Sequence, residues 1–93
     1  MQFISISHPQ ESFTKAQYAL LVESEVQRAR QLYSEGYIRQ LWHRADTPGV
    51  CILWEANSVE EVLEMLKTLP FTKAGIVESS LIPLKPYVGF GPS

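Results

Sequence analysis

Residues 25–44 read EVQRARQLYSEGYIRQLWHR. This is the second half of an amphipathic helix, a Glu35-Gly36 turn, and a strand that carries aromatic and cationic side chains. Followed back to Thr14, the apolar residues fall at Tyr18, Leu21, Val22, Ala29, Leu32 and Tyr33, the three-and-four spacing of one helical face. Ser24, Gln27, Arg30 and Gln31 take the opposite, solvated side. At about 100° per residue, Glu25 falls near the middle of the apolar stripe. A carboxylate there needs a partner or a raised pKa, because burying it alone is costly. Two readings follow. Glu25 is a structural ion-pair partner of Arg39 or Arg44, or it is a proton-transfer group at the mouth of a pocket between helix and sheet.

Outward from this stretch the chain divides by its turn chemistry. Toward the N-terminus, Gln2–Ser7 reads as a short strand of mixed faces, ended by His8-Pro9. A loop over 10–13 leads to Ser12 or Thr14 as helix cap. Gly36 supplies the left-handed residue that closes the helix. Tyr37–Ala45 is a long strand without clean alternation, and Asp46-Thr47-Pro48-Gly49 a hairpin loop. Val50–Ala56 (VCILWEA) is nearly all apolar, as in a central strand covered on both sides. Asn57 or Ser58 caps a second helix, with Glu60 and Glu61 in its first turn and Val59, Val62, Leu63, Leu66 and Leu69 as its buried stripe. Pro70 stops it. A last strand over 75–84 is broken at Pro83, and a tail over 85–93 with two prolines and two glycines wanders or lies across a partner.

The order strand–helix–strand–strand–helix–strand makes an α+β fold, the ferredoxin-like βαββαβ arrangement. It consists of a four-stranded antiparallel sheet with two helices on one face. The chain supplies nothing to cover the other face, yet VCILWEA is apolar on both. Soluble monomers rarely expose such a patch, and a twofold sheet-to-sheet contact with a second copy is the simplest cover. A homodimer is expected, with higher homo-oligomers open.

Composition sets the bounds. Ninety-three residues, 45% apolar, make one domain over 1–93. Net charge is −2, from eight basic and ten acidic residues without a basic run, which argues against a nucleic-acid partner. No apolar run approaches the roughly 20 residues of a membrane span, and the first residues lack a signal pattern. The one cysteine, Cys51, sits in an apolar run, as an inert buried thiol does, and fits a reducing cytoplasm. Two separated histidines and one cysteine make no metal-ligand spacing, so no metal and no cofactor are expected.

Glu25, Ala29, Leu32, Glu35-Gly36, Arg39 and Leu41-Trp42, followed by Ser58-Val59-Glu60 and Leu66 with Leu69-Pro70, resemble the muconolactone delta-isomerase family over about two-thirds of the chain. The resemblance implies a dimeric α/β barrel, two such sheets facing each other with helices outside. It also implies an activity, a proton shift that moves a ring double bond in a carboxylated lactone or ring-like small molecule. Glu25 matches a family glutamate and is the implied base. Arg39 matches a family arginine and would hold the substrate carboxylate, and Trp42 would wall the pocket. His43 replaces a basic family residue and is the candidate second proton carrier; Tyr37 and Arg44 complete the substrate-binding candidates. The chain departs from the family at Lys85-Pro86, where the family has His-Pro, and at Thr72-Lys73-Ala74-Gly75 after Phe71. Two other readings keep the fold. One is a cofactor-free monooxygenase or haem-handling protein using His8, His43, Tyr37 and Trp54. The other is a non-catalytic ligand-binding or oligomerisation module.

Overall fold

The first helix is fixed at both ends by local chemistry. In a computed structural model that describes residues 1–10 and 13–89, Thr14 caps α1 (Lys15–Ser34). The Thr14 hydroxyl accepts from the Gln17 backbone N–H at 3.2 Å, and the Gln17 side chain accepts from the Thr14 N–H at 2.9 Å. Ser12, the other candidate cap, lies outside the described residues. At the far end Gly36 takes φ +87, and the chain enters β2 (Ile38–His43). The remaining elements are β1 (Gln2–Pro9), β3 (Val50–Glu55), α2 (Val59–Lys67), a single turn α3 (Pro70–Lys73) and β4 (Val77–Pro83). The strands form one antiparallel sheet in the order β2-β3-β1-β4, the ferredoxin-like topology expected.

Two local expectations need correction. His8-Pro9 does not end the first strand: His8 pairs with Glu78 and Pro9 with Val77. Beside β3, the backbone pairing runs only to Ile6 opposite Cys51, after which the Ser7 hydroxyl accepts from Val50 N–H (2.8 Å) and donates to the Val50 carbonyl (3.2 Å). Past that point β1 is a local edge, where a missing proline N–H is tolerated. Pro70 also does more than stop a helix. α2 already ends at Lys67, and Pro70 opens α3 from the first helical position, which suits its fixed φ and absent donor.

The imperfect alternation of the second strand has a definite cause. Ile38 stands opposite Trp54 and Gln40 opposite Leu53, so Arg39 is an extra residue at a bulge. The slip changes the phase of the strand. Ile38, Leu41 and His43 then share a face with Trp54, Ile52 and Val50, while Gln40 and Trp42 share the other with Leu53 and Cys51.

Phe3, Trp54, Ile38, Leu32, Val62 and Leu66 form the core under the helices. The opposite sheet face carries Ile4, Ile6, Leu53 and Cys51, half-buried, with Trp42 and Ile82 at 47% and 45% exposure. No helix among the described residues crosses it, and none of the helices is long and apolar enough to cross a membrane.

Gly49 closes the β2–β3 hairpin with φ +146, and a Cβ there would collide with the Ser7 carbonyl oxygen. Gly49→Ala is therefore expected to cost about 1–3 kcal/mol from backbone strain, with the steric clash adding to it. Urea unfolding checks this, and a change inside experimental error would show that the hairpin relaxes freely.

Candidate active site

α1 buries only Leu32, near its C-terminal end. Its N-terminal two-thirds stands off the sheet and roofs a cavity of about 860 Å³, open at one side. Tyr18, Val22 and Val26 form the roof, Phe71 of α3 an end wall, and Ile52 and Leu41 part of the floor. The Tyr18 and Phe71 rings stack at 4.5 Å between centroids and 24° between planes, tying α1 to α3. The size suits a small organic molecule.

Glu25 is the carboxylate in this lining. Its Oε1 accepts the Phe71 backbone N–H at 2.9 Å. That amide is in the first turn of α3, where no intrahelical acceptor exists, so the carboxylate satisfies an orphan donor. Oε2 has no hydrogen-bond partner among the described residues. Burial pushes the Glu25 pKa above its ordinary value, and the Phe71 hydrogen bond offsets part of that rise.

This corrects the expected ion pair. Glu25 meets neither arginine: the ion pairs among the described residues are Met1–Glu55, Arg44–Asp46 and Lys67–Glu64. Arg39, displaced by its bulge, lines a separate small hollow with Tyr33, Gly36 and Ile38. Arg44 reaches the cavity rim but binds Asp46 through two bonds, Nε–Oδ1 at 3.0 Å and Nη2–Oδ2 at 2.8 Å. The Arg44 hydrogen bond holds the Asp46 pKa below its ordinary value. Both side chains of this pair meet solvent, so it orients Arg44 more than it stabilises the fold.

The other candidates separate. His43 lines the cavity, opposite Val50 on the helix-facing side. Trp42 also borders the cavity, but its pairing with Cys51 puts its ring on the uncovered sheet face. Tyr37, half-exposed, lies outside the lining. His8 pairs with Glu78, and its place in the alternation of β1 puts it on the face away from His43, so the two histidines do not converge. Trp54 is fully buried, a core residue rather than a pocket wall. Among the described residues no three His, Cys, Asp or Glu side chains gather as a metal-holding group.

Sequence reading missed two participants. Phe71 supplies both the end wall and the amide that holds Glu25. Ser5, 1% exposed, lies in the lining, and its Oγ accepts the Trp54 Nε1–H at 2.8 Å. The signal for Ser5 was the Phe3-Ile4-Ser5-Ile6 alternation, whose less greasy phase faces inward.

Comparison with known proteins agrees with this architecture. No curated protein matches the chain at a significant level. Among solved structures, a muconolactone isomerase crystal structure superposes with TM-score 0.79 at 23% identity, covering 100% of this chain and 97% of the other. The 5-chloro-2-hydroxyhydroquinone dehydrochlorinase of Burkholderia phenoliruptrix, in complex with 2,5-dihydroxybenzoquinone, gives TM-score 0.67 at 19% identity, covering 91% and 94%. The family profile described as muconolactone delta-isomerase matches residues 3–89, nearly the whole chain. The protein belongs to the muconolactone delta-isomerase family.

Proposed function

We propose that the protein moves a double bond by proton transfer in a small oxygenated ring or lactone, held between α1 and the sheet, with Glu25 as the base. The observation that carries this reading is a carboxylate in an apolar cavity, its pKa raised by burial, fixed through one oxygen and leaving the other unpartnered among the described residues. A base of that kind is poised to take a proton from the carbon beside a carbonyl and return it farther along the conjugated system. His43 at the rim is the candidate for exchanging that proton with solvent. Arg44 and Lys15 are the cations in the lining within reach of an acidic substituent at the mouth, Arg44 in competition with Asp46. Arg39 and Tyr37 have no part in this cavity as the single chain forms it.

The family profile and the isomerase-like fold support the reaction class. The dehydrochlorinase structure, which holds an oxygenated ring, supports the ligand size. Incubation with unsaturated lactones in heavy water tests the reading, following ultraviolet absorbance as the double bond moves and deuterium entry by NMR. Neither change across such a set would refute it.

The uncovered sheet face belongs to the same reading. A second copy closes over Ile4, Ile6, Leu53, Trp42 and Ile82, giving the dimeric barrel. Light scattering at micromolar concentration is expected to give at least twice the chain mass. Trp42→Glu, which plants a charge in that face, is expected to lower it toward the monomer. A monomeric wild type would overturn the assembly.

A further inference from the structure

We infer that Ser5 is the donor that grips a neutral carbonyl oxygen of the ligand, a ketone or ester carbonyl, at the cavity floor. The inference rests on the cavity being the substrate site and extends that reading to a residue and a substrate class. A serine hydroxyl has one proton to donate and two lone pairs to accept with. The Ser5 oxygen is already used as an acceptor, by the Trp54 indole N–H at 2.8 Å. Its own proton has no acceptor among the described residues, although the side chain is 1% exposed and lies in the cavity lining.

A buried donor in that position calls for a partner. Its neighbours on the same sheet face do not supply one: Leu81 and Ile52 stand opposite Ser5 on the two flanking strands. Ser7, the next residue on that face, has its hydroxyl committed to both backbone groups of Val50. Thr72 and Ser79 also bring hydroxyls to the lining, but both are partly exposed to solvent, so the buried donor left over among the described residues is Ser5, while the acid, Glu25, hangs from the roof. A ligand carbonyl oxygen is an acceptor of the kind this donor lacks.

The Trp54 bond does two further things. It fixes the hydroxyl oxygen, so the proton has few directions left. It also polarises the hydroxyl, since a group that accepts a hydrogen bond donates a stronger one. When Glu25 takes the proton from the carbon beside the carbonyl, electron density moves onto the carbonyl oxygen, and Ser5 O–H stabilises it there. Among the described residues no cation lies at the floor, which matches a neutral oxygen there rather than a carboxylate. The cationic groups in the lining, Arg44 and Lys15, are at its rim.

The test uses two bicyclic probes of one shape, the ketone indan-2-one and its carbonyl-free counterpart indane, titrated calorimetrically into the full chain. Wild type is expected to bind the ketone roughly ten-fold more tightly, the worth of one good hydrogen bond to a buried donor. Ser5→Ala should bring the two probes within about two-fold, and Ser5→Thr, which keeps the hydroxyl, should restore the preference. Should Ser5→Ala fail to fold because it strands the Trp54 N–H, the Ser5→Ala/Trp54→Phe double variant removes both partners and gives the same reading. A wild type with no ketone preference, or a Ser5→Ala protein that keeps it, overturns the inference. Binding is read without turnover, so a protein inert toward lactones but with a Ser5-dependent preference loses the isomerase reading and keeps this one.

Discussion

Glu25→Gln is expected to yield a folded protein that lacks the proposed proton transfer. The glutamine carbonyl can still accept the Phe71 N–H, so the tie between α1 and α3 survives, while the base is gone. Removing a positioned general base costs about 10²–10⁴-fold in rate, read as deuterium entry into the substrate. Stability moves the other way. A carboxyl whose folded pKa lies above its unfolded value binds its proton more tightly when folded. Its stabilising contribution is complete below the unfolded value and is lost as pH rises through the raised one. Above that raised value the ionised Glu25 works against the fold, so there the variant should melt at the same temperature or higher, with a flatter stability profile as pH rises from the ordinary carboxylate range. Wild-type activity should rise with pH through a midpoint above the ordinary carboxylate range. A variant that loses several kcal/mol, as when a buried ion pair loses one member, would restore the structural role.

Trp54→Ala should cost about 3–5 kcal/mol, the range for truncating a buried large aromatic residue. The indole has no exposure, packs in the core with Phe3 and Ile38, and donates a hydrogen bond to the Ser5 hydroxyl oxygen. A domain of this length has only about 5–15 kcal/mol in total, so the loss is a large part of the whole. Trp54→Phe keeps most of the apolar volume and should lose about 1–2 kcal/mol, mainly the indole hydrogen bond. Urea unfolding of the three proteins separates the two contributions. A loss below about 1 kcal/mol for the alanine variant would mean that the core closes around the vacancy.

The elements that sequence announces plainly are those whose local chemistry and periodicity agree. α1 starts just after Thr14 and stops short of Gly36 because capping box and left-handed glycine are both written in the chain. Glu25 in mid-stripe correctly marked where the helix faces something other than packed core. What it faces was not legible. Its partner is a backbone amide 46 positions away, and amides carry no sequence signature. Arg39 was chosen by its match to a family arginine and as an ion-pair candidate, and no residue type announces the bulge that takes it out of the ladder with β3. Ser5 shows the opposite trap. In Phe3-Ile4-Ser5-Ile6 the isoleucines look like the core face, yet the helices lie over Phe3 and Ser5 because the sheet is apolar on both sides.

That two-sided sheet has a practical consequence through Cys51. Its thiol is half-buried in the centre of the bare face, opposite Ile6 on one strand and Trp42 on the other. Copies that meet there shield the sulfur, and copies that part expose it. If copies pair there as proposed, the rate at which a bulky maleimide alkylates the protein is expected to rise across a dilution series, a built-in gauge of association that needs no tag and no engineered label.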